Sequence, residues 1–106
     1  MKVLLVNGSP IREGNTYVAL SEVARALQAE GIESEILQLG TQPVRGCIAC
    51  GGCRKAAQGR CVFDDDVCNR LCEAAEHADG FVFGTPVYYA HASGRLLSFL
   101  YRAFYS

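Results

Sequence analysis

The sequence predicts an α/β domain in which helices cover both faces of a parallel sheet. Short apolar runs alternate along the 106 residues with segments of helical periodicity, and this alternation is typical of parallel sheets. The first apolar run leads through a loop of small residues into a helical segment. The third run places Phe81, Val82 and Phe83 in succession, which predicts a strand buried on both faces.

Six elements are predicted, in the order strand, helix, strand, helix, strand, helix. Residues 3–6 form the first strand, and residues 16–30 form the first helix, which ends before the glycine cap Gly31. The apolar positions that recur at helical spacing are Leu20, Val23, Ala24 and Leu27. In residues 32–39 glutamates alternate with other residues, so this segment is predicted to be an edge strand with one wet face.

The second half of the chain begins with residues 40–60, which show neither helical nor strand periodicity. Irregular segments of this length are rarely idle, so we expect a functional loop. Three consecutive aspartates, residues 64–66, mark the start of the second helix, where the helix dipole favours carboxylates. The third strand spans residues 80–84, and Ser93 suits the N-cap of the last helix.

Composition excludes several function classes. Ten Lys and Arg residues balance eleven Asp and Glu residues, so nothing favours binding to nucleic acid or to an anionic membrane. No apolar stretch approaches the ~20 residues that span a bilayer, and the expected compartment is the cytoplasm. In that compartment six cysteines indicate metal, redox or core roles rather than disulfides. The length fits a single domain, residues 1–106.

The loop after the first strand has the features of a phosphate-binding loop. Its small residues leave backbone N–H groups accessible to an anion. The helix that follows directs the positive end of its dipole toward the loop. The side chains that could complete the anion site are those of Ser9, Arg12, Asn15 and Thr16. The same residue types are also common in ordinary turns between a strand and a helix.

A second loop, residues 85–91, follows the third strand. In open parallel sheets, ligands bind beyond the carboxyl ends of the strands, where the strand order reverses. The first and third strands are expected to be neighbours at that point. The two loops are therefore predicted to form one site.

Three motifs in register give the sequence its family resemblance. They are Gly8-Ser9-Pro10 with Gly14-Asn15-Thr16, Cys47-x-x-Cys50-x-x-Cys53 before the three aspartates, and the run from Ala78 to Tyr89. With these motifs the chain resembles the flavodoxin-like NAD(P)H-dependent FMN reductase family and its iron–sulfur flavoprotein branch. The resemblance covers nearly the whole chain and implies a flavodoxin-like fold, of which these residues are the three-strand N-terminal portion.

The resemblance implies that the cofactor is FMN. It assigns the FMN phosphate to the first loop, at Ser9, Pro10, Arg12, Asn15 and Thr16. It assigns the isoalloxazine to the second loop, at Pro86, Val87, Tyr88 and Tyr89, where aromatic side chains would lie against the ring. The implied reaction is hydride transfer from NAD(P)H to FMN and then to a small-molecule or protein acceptor. The flavin performs the chemistry, so no catalytic side chain is assigned, and family members usually build the flavin site near a subunit interface.

The cysteine motif leaves three alternatives open. Its spacing is C-x2-C-x2-C-x7-C, formed by Cys47, Cys50, Cys53 and Cys61. Four thiolates in such a run can hold a [4Fe–4S] cluster, and the resemblance implies that a cluster beside FMN would make an electron carrier. The same cysteines could instead bind zinc or remain free thiols.

The other chemistry-bearing residues have simpler explanations. Cys68 and Cys72 lie on the apolar face of a predicted helix, where a free cysteine usually packs in the core. The three aspartates are better explained as a helix start than as a Mg²⁺ site. His91 lies beside the proposed flavin loop, where it could contact the ring or the substrate.

One departure from the resembled family concerns the sheet. The family fold has five parallel strands, and this chain supplies three. The strand that contains residues 81–83 is therefore expected to present a bare apolar edge, which predicts pairing with another chain and a homo-oligomer. The chain is then either a fragment or one part of a sheet that a second chain completes. A truncated domain that binds no cofactor and acts as an interaction module is the remaining alternative.

Overall fold

The computed structural model describes residues 1–55 and 59–105. Three strands and four helices follow one another in the described residues. In chain order they are β1 (Lys2–Asn7), α1 (Asn15–Ala29), β2 (Glu33–Gln38), α2 (Gly52–Lys55), α3 (Cys68–Ala75), β3 (Gly80–Gly84) and α4 (Gly94–Tyr105). The predicted alternation of strands and helices is confirmed, and residues 56–58 of the predicted functional loop lie outside the described residues.

The strands form a parallel sheet in the order β2-β1-β3. The first strand of the chain is therefore the central strand, with Leu5 opposite Ile36 on one side and Val82 on the other. This order makes β1 and β3 neighbours, as predicted. It also confirms that β2 is an edge strand, and Glu33 and Glu35 on β2 are exposed.

Along each strand, successive side chains point to opposite faces of the sheet. Helices pack on both faces. On one face, Leu20 of α1 lies close against Gly84. On the other face, Val6 of β1 belongs to a core built mainly with α3 and α4. That buried core consists of Val6, Leu39, Cys68, Leu71, Leu96 and Phe99.

The prediction that β3 is buried on both faces is wrong. Phe81 is 45% exposed and Phe83 is 38% exposed, and their parallel rings stack with centroids 6.2 Å apart. Both rings line an open apolar cavity of about 350 Å³ between the sheet and helices α3 and α4. Within residues 1–55 and 59–105, no strand pairs with the outer edge of β3. That uncovered position at the edge of the sheet accounts for the exposure.

The element boundaries differ from the predicted ones by a few residues. Helix α1 begins at Asn15 instead of residue 16, and Gly31 adopts φ +75°, as its predicted capping role requires. The helix after the three aspartates begins only at Cys68, because a carboxylate oxygen of Asp66 accepts the Cys68 N–H at 3.1 Å. The described helices include none that is long and apolar enough to cross a membrane.

Candidate flavin and cysteine sites

The loop after β1 is held by the buried side chain of Asn7, the last residue of that strand. Its amide oxygen accepts a hydrogen bond from the Ser9 N–H at 2.9 Å. Its amide nitrogen donates to Oε1 of Gln38 at the end of β2, also at 2.9 Å. Further along the loop, the Ser9 hydroxyl accepts a hydrogen bond from the Ile11 N–H at 3.1 Å. Asn7 and Gln38 therefore fix the start of the predicted phosphate loop.

Helix α1 presents an N-terminus that suits an anion. Its N-cap is Gly14, which supplies no side-chain cap, and its first turn contains no acidic residue. The first-turn N–H groups therefore have no partner within the helix and no side-chain cap. Arg12 and Asn15 are exposed and Thr16 is half-buried near this end of the helix. An anion bound here would occupy the place of a cap.

The loop after β3 contains a tight turn with an unusual backbone. Tyr88 and His91 exchange two backbone hydrogen bonds, of 2.9 and 3.0 Å. Between them, Tyr89 and Ala90 both adopt positive φ, at +50° and +59°, as in a type I′ turn. Asn and Gly are the residues usually found at the two central positions of such a turn. The turn leaves the Tyr89 side chain fully exposed, and Val87 is exposed beside it. This loop therefore offers an uncovered aromatic and apolar surface.

Two hydrogen bonds join the loop after β1 to the loop after β3. The Gly8 N–H donates to the Gly84 carbonyl oxygen at 2.7 Å. The buried Ser93 hydroxyl donates to the Gly8 carbonyl oxygen at 2.8 Å, and it also accepts the Leu96 N–H as the N-cap of α4. The predicted phosphate and isoalloxazine loops thus start side by side at the carboxyl edge of the sheet.

His91 is occupied within its own loop. Its Nδ1 atom accepts the Ala92 N–H at 3.0 Å. The Thr85 hydroxyl accepts the Ser93 N–H at 2.9 Å and donates to the Pro86 carbonyl oxygen at 2.8 Å. These contacts hold the two ends of the loop, between Thr85 and Ser93, against each other.

The four cysteines of the predicted cluster motif line one small cavity of about 20 Å³. Cys53 is buried on the short helix α2, Cys61 is half-buried, and Cys47 and Cys50 are exposed. In the residues that the structure describes, no three His, Cys, Asp or Glu side chains are close enough together to hold a single metal ion. The cysteines thus face one space, and they are spread around it rather than converging on one point.

Asn69, buried on α3, fixes the position of Cys61. Its side-chain oxygen accepts the Cys61 N–H at 3.0 Å, and its side-chain nitrogen donates to the Cys61 carbonyl oxygen at 3.0 Å. The same nitrogen lies 3.3 Å from the Phe63 carbonyl oxygen. The backbone around the fourth cysteine of the motif is therefore anchored to a helix of the core.

A buried ion pair between Asp66 and Arg102 connects α4 to the segment between Cys61 and α3. Their side chains are 3% and 1% exposed. Burial by itself raises the pKa of Asp66, but hydrogen bonds from Arg102 and from the backbone of Cys68 and Arg45 hold that pKa below its ordinary value. Arg102 also lines the cysteine cavity. The pair therefore holds the Arg102 guanidinium in a fixed position beside the four cysteines.

Cys68 and Cys72 form a separate thiol pair on α3. Cys68 is buried in the core, as predicted, and Cys72 lines the 350 Å³ cavity. The hydrogen bond from the Cys68 thiol lowers the pKa of Cys72 to about 7, and the charge of Arg102 acts in the same direction. The same hydrogen bond, together with burial, raises the pKa of Cys68.

Comparison with known proteins decides the family. Residues 1–105 match the family described as NADPH-dependent FMN reductase. The chain belongs to this family. It is 38% identical over 96 residues to an iron–sulfur flavoprotein of Methanocaldococcus jannaschii, which covers 91% of this chain and 48% of that protein. It is 35% identical over 94 residues to an iron–sulfur flavoprotein of Archaeoglobus fulgidus, which covers 89% of this chain and 44% of that protein.

The chain thus spans about half the length of the curated relatives that it matches. The matched half contains both loops at the carboxyl edge and all four cysteines of the motif. The family membership and the three-stranded parallel sheet confirm the predicted flavodoxin-like α/β fold.

The residues present fit the cofactor of an FMN reductase family member. The N-terminus of α1 has no side-chain cap, and the donor set beside it consists of hydroxyl, amide and guanidinium groups, which suit a phosphate. The supporting residues Asn7, Gln38 and Asn69 were not predicted from the sequence. Asn7 and Gln38 are polar residues at the ends of two neighbouring strands, and this pattern is visible in the sequence. No sequence pattern pointed to Asn69.

Proposed function

We propose that this chain binds FMN at the joined loops and acts as a flavin-dependent oxidoreductase that takes hydride from NAD(P)H. The observation that supports this proposal is the pairing of the two loops through Gly8, Gly84 and Ser93. An uncapped helix N-terminus on one side and an exposed aromatic surface on the other match the two ends of FMN. Bound FMN would supply hydride and electron transfer.

The chain's own residues would bind and orient the cofactor. The Ser9 hydroxyl accepts the Ile11 N–H, so its own proton remains available for a phosphate oxygen. Arg12 would add a positive charge, and Asn15 and Thr16 would add polar groups at the first turn of α1. Pro86, Val87, Tyr88 and Tyr89 would lie along the isoalloxazine.

Titration of the purified protein with FMN and with riboflavin tests this site, with the quenching of flavin fluorescence as the measurement. We expect Arg12→Gln to weaken FMN binding about tenfold and to leave riboflavin binding unchanged, because only FMN carries the phosphate. The matched control is Arg25→Gln, because Arg25 is exposed on α1 and pairs with Glu22. A folded, colourless protein that binds neither flavin would favour the alternative of a cofactor-free module.

The cysteine cavity supports a second component, a [4Fe–4S] cluster held by Cys47, Cys50, Cys53 and Cys61. A single zinc ion needs four sulfur atoms at about 2.3 Å from one point, whereas a cubane cluster takes one thiolate at each of its four irons and keeps them further apart. Thiols spread around one cavity suit the second arrangement better. The cysteine segment has to open to admit a cluster, since the cavity is only about 20 Å³.

Iron and acid-labile sulfide, measured in protein purified without oxygen, test this assignment. We expect about four irons and four sulfides per chain, and their loss in Cys61→Ser. Cys72→Ser is the matched control, because Cys72 lines the other cavity. Stoichiometric zinc with no sulfide would contradict the cluster and support the single-metal alternative.

The exposed edge of β3 supports association with a second chain, which we propose to be another copy of this protein. Phe81 and Phe83 expose apolar rings there, and an unpaired apolar strand edge favours pairing. Light scattering on the purified chain should give the mass of a homo-oligomer. The final electron acceptor, whether a small molecule or a protein, would then approach a flavin near this interface.

A further inference from the structure

Arg102 is the most completely enclosed charge in the described part of the chain. Its side chain is 1% exposed. Nη1 donates to the Arg45 carbonyl oxygen at 3.2 Å and pairs with Asp66, and Nη2 donates to the Phe63 carbonyl oxygen at 2.7 Å. A guanidinium held by three acceptors in three directions cannot rotate freely, because its planar fork fixes all the donors together.

One donor of this guanidinium remains unused. Nε of Arg102 is buried and has no hydrogen-bond partner among residues 1–55 and 59–105. Buried N–H groups almost always have an acceptor, since leaving one unpaired costs free energy. An unpaired donor on so firmly held a side chain remains available to an acceptor bound beside it.

The unused donor lies beside the four cysteines. Arg102 lines the same small cavity as Cys47, Cys50, Cys53 and Cys61. The Cys61 thiol lies close enough to the guanidinium to interact with it. When these cysteines bind iron they do so as thiolates, which carry negative charge and accept hydrogen bonds at sulfur. A buried anionic centre of this kind needs a nearby cation.

We propose that Arg102 is a positioning residue for the iron–sulfur cluster, which it holds through its charge and an N–H···S hydrogen bond from Nε. The inference rests on the cluster assignment made above. It assigns to Arg102 a second function besides the structural pairing with Asp66. Hydrogen bonds to sulfur and the net local charge both set the reduction potential of a cluster. Arg102 therefore stabilises the reduced cluster, while Asp66 opposes this effect by neutralising part of the charge.

The opposite signs of the two charges define the experiment. Four proteins are reconstituted with iron and sulfide without oxygen. They are the wild type, Arg102→Lys, Asp66→Asn and the surface control Asp65→Asn. For each protein we measure cluster absorbance during a redox titration and the rate at which a chelator removes iron. Circular dichroism verifies that each variant is folded.

We expect Arg102→Lys to lower the midpoint potential and to lose iron about tenfold faster, because lysine keeps a charge but lacks the Nε donor. Asp66→Asn should raise the midpoint potential, since the Arg102 charge is then no longer balanced. Asp65 is exposed and pairs with Arg45 outside the cavity, so Asp65→Asn should change neither quantity.

A purely structural role would weaken cluster retention in both buried variants without moving their potentials in opposite directions, and that result would overturn the proposal. If Arg102→Lys does not fold, the double variant Asp66→Asn with Arg102→Gln removes both charges together. It should still have a lower potential, because the sulfur hydrogen bond is gone. A folded wild type that takes up no cluster would overturn both this inference and the cluster assignment, whereas a loaded wild type with unshifted variants overturns this inference alone.

Discussion

The Ser93 hydroxyl donates a hydrogen bond of 2.8 Å to the carbonyl oxygen of Gly8, and the two residues lie 85 positions apart in the sequence. The same oxygen atom of Ser93 caps helix α4 by accepting the Leu96 N–H. One buried hydroxyl therefore serves the start of a helix and the joint between two loops. The spacing of the phosphate loop from the aromatic loop depends on it.

Replacing Ser93 with alanine should lower the free energy of unfolding by about 1–3 kcal/mol, because it removes an N-cap and leaves the buried Gly8 carbonyl without this donor. FMN binding should weaken as well, since both loops lose their shared anchor. Urea denaturation and flavin titration measure the two effects. Ser98→Ala, on the same helix, is the control, and an equal loss in both variants would contradict the role of Ser93.

Gly8 should not tolerate a side chain. A Cβ atom there would meet the Gly84 carbonyl oxygen at 3.0 Å and the Cβ of Leu96 at 3.0 Å. We expect Gly8→Ala to cost about 1–3 kcal/mol of stability, as overpacking does in a dense core. Gly46→Ala is the matched control, because no atom lies within 4 Å of its added Cβ. Thermal melting of both variants tests the prediction, which fails if their melting temperatures fall equally.

The sequence predicted the parts of the fold and the site that depend on local pattern. Apolar runs, loops of small residues and glycines at the ends of elements were enough to predict the strands and the two loops at one edge of the sheet. The exposure of Phe81 and Phe83 was not predictable from the apolar run, because the same pattern suits a covered strand. The Asp66–Arg102 pair was missed as well, since it depends on how α4 crosses a segment 36 positions away in the sequence.

Removing the Asp66 carboxylate should destabilise the fold strongly. Asp66→Ala leaves Arg102 buried without its counter-ion, and breaking one side of a buried pair costs about 3–5 kcal/mol. Asp65→Ala is the control, because Asp65 is exposed and its pairing with Arg45 lies at the surface. Urea denaturation at neutral pH should separate the two variants clearly, and similar midpoints would show that the buried pair is not a major contributor.

The same pair should make stability fall in acid. The folded-state pKa of Asp66 lies below its ordinary value of 3.8. The carboxylate therefore contributes stability that is fully present well above pH 3.8 and is lost as the pH falls through the folded-state pKa. Unfolding free energies measured from pH 6 down to pH 2 should decrease for the wild type. In Asp66→Asn this part of the decrease should be absent, and an unchanged pH profile would contradict the assignment.

Cys72 should be the most reactive thiol of helix α3 at neutral pH. With a pKa of about 7, about half of it is thiolate at pH 7, against about 1% of a thiol with a pKa near 9. A lower pKa also weakens the nucleophile, so the net gain in alkylation rate is roughly five- to tenfold. The rate should level off above pH 8.

Iodoacetamide labelling followed by tryptic mass spectrometry measures this directly. Cleavage after Arg70 and Arg95 places Cys72 alone in one peptide and leaves Cys68 in the preceding one. Cys68→Ala should slow the labelling of Cys72 at pH 7, because the hydrogen bond that lowers its pKa is removed. Faster labelling of Cys68 than of Cys72 in the wild type would contradict the prediction.

The central position of β1 has a consequence for how the chain acquires its structure during synthesis. The strand that pairs on both sides is made first, and its partners follow only at residues 33–38 and 80–84. Pairings between distant segments form slowly, because a long loop must close before any contact compensates for the lost entropy. Before residue 80 has been synthesised, the nascent chain exposes one unpaired side of its own central strand. That side of β1 becomes paired only after residues 80–84 have been made.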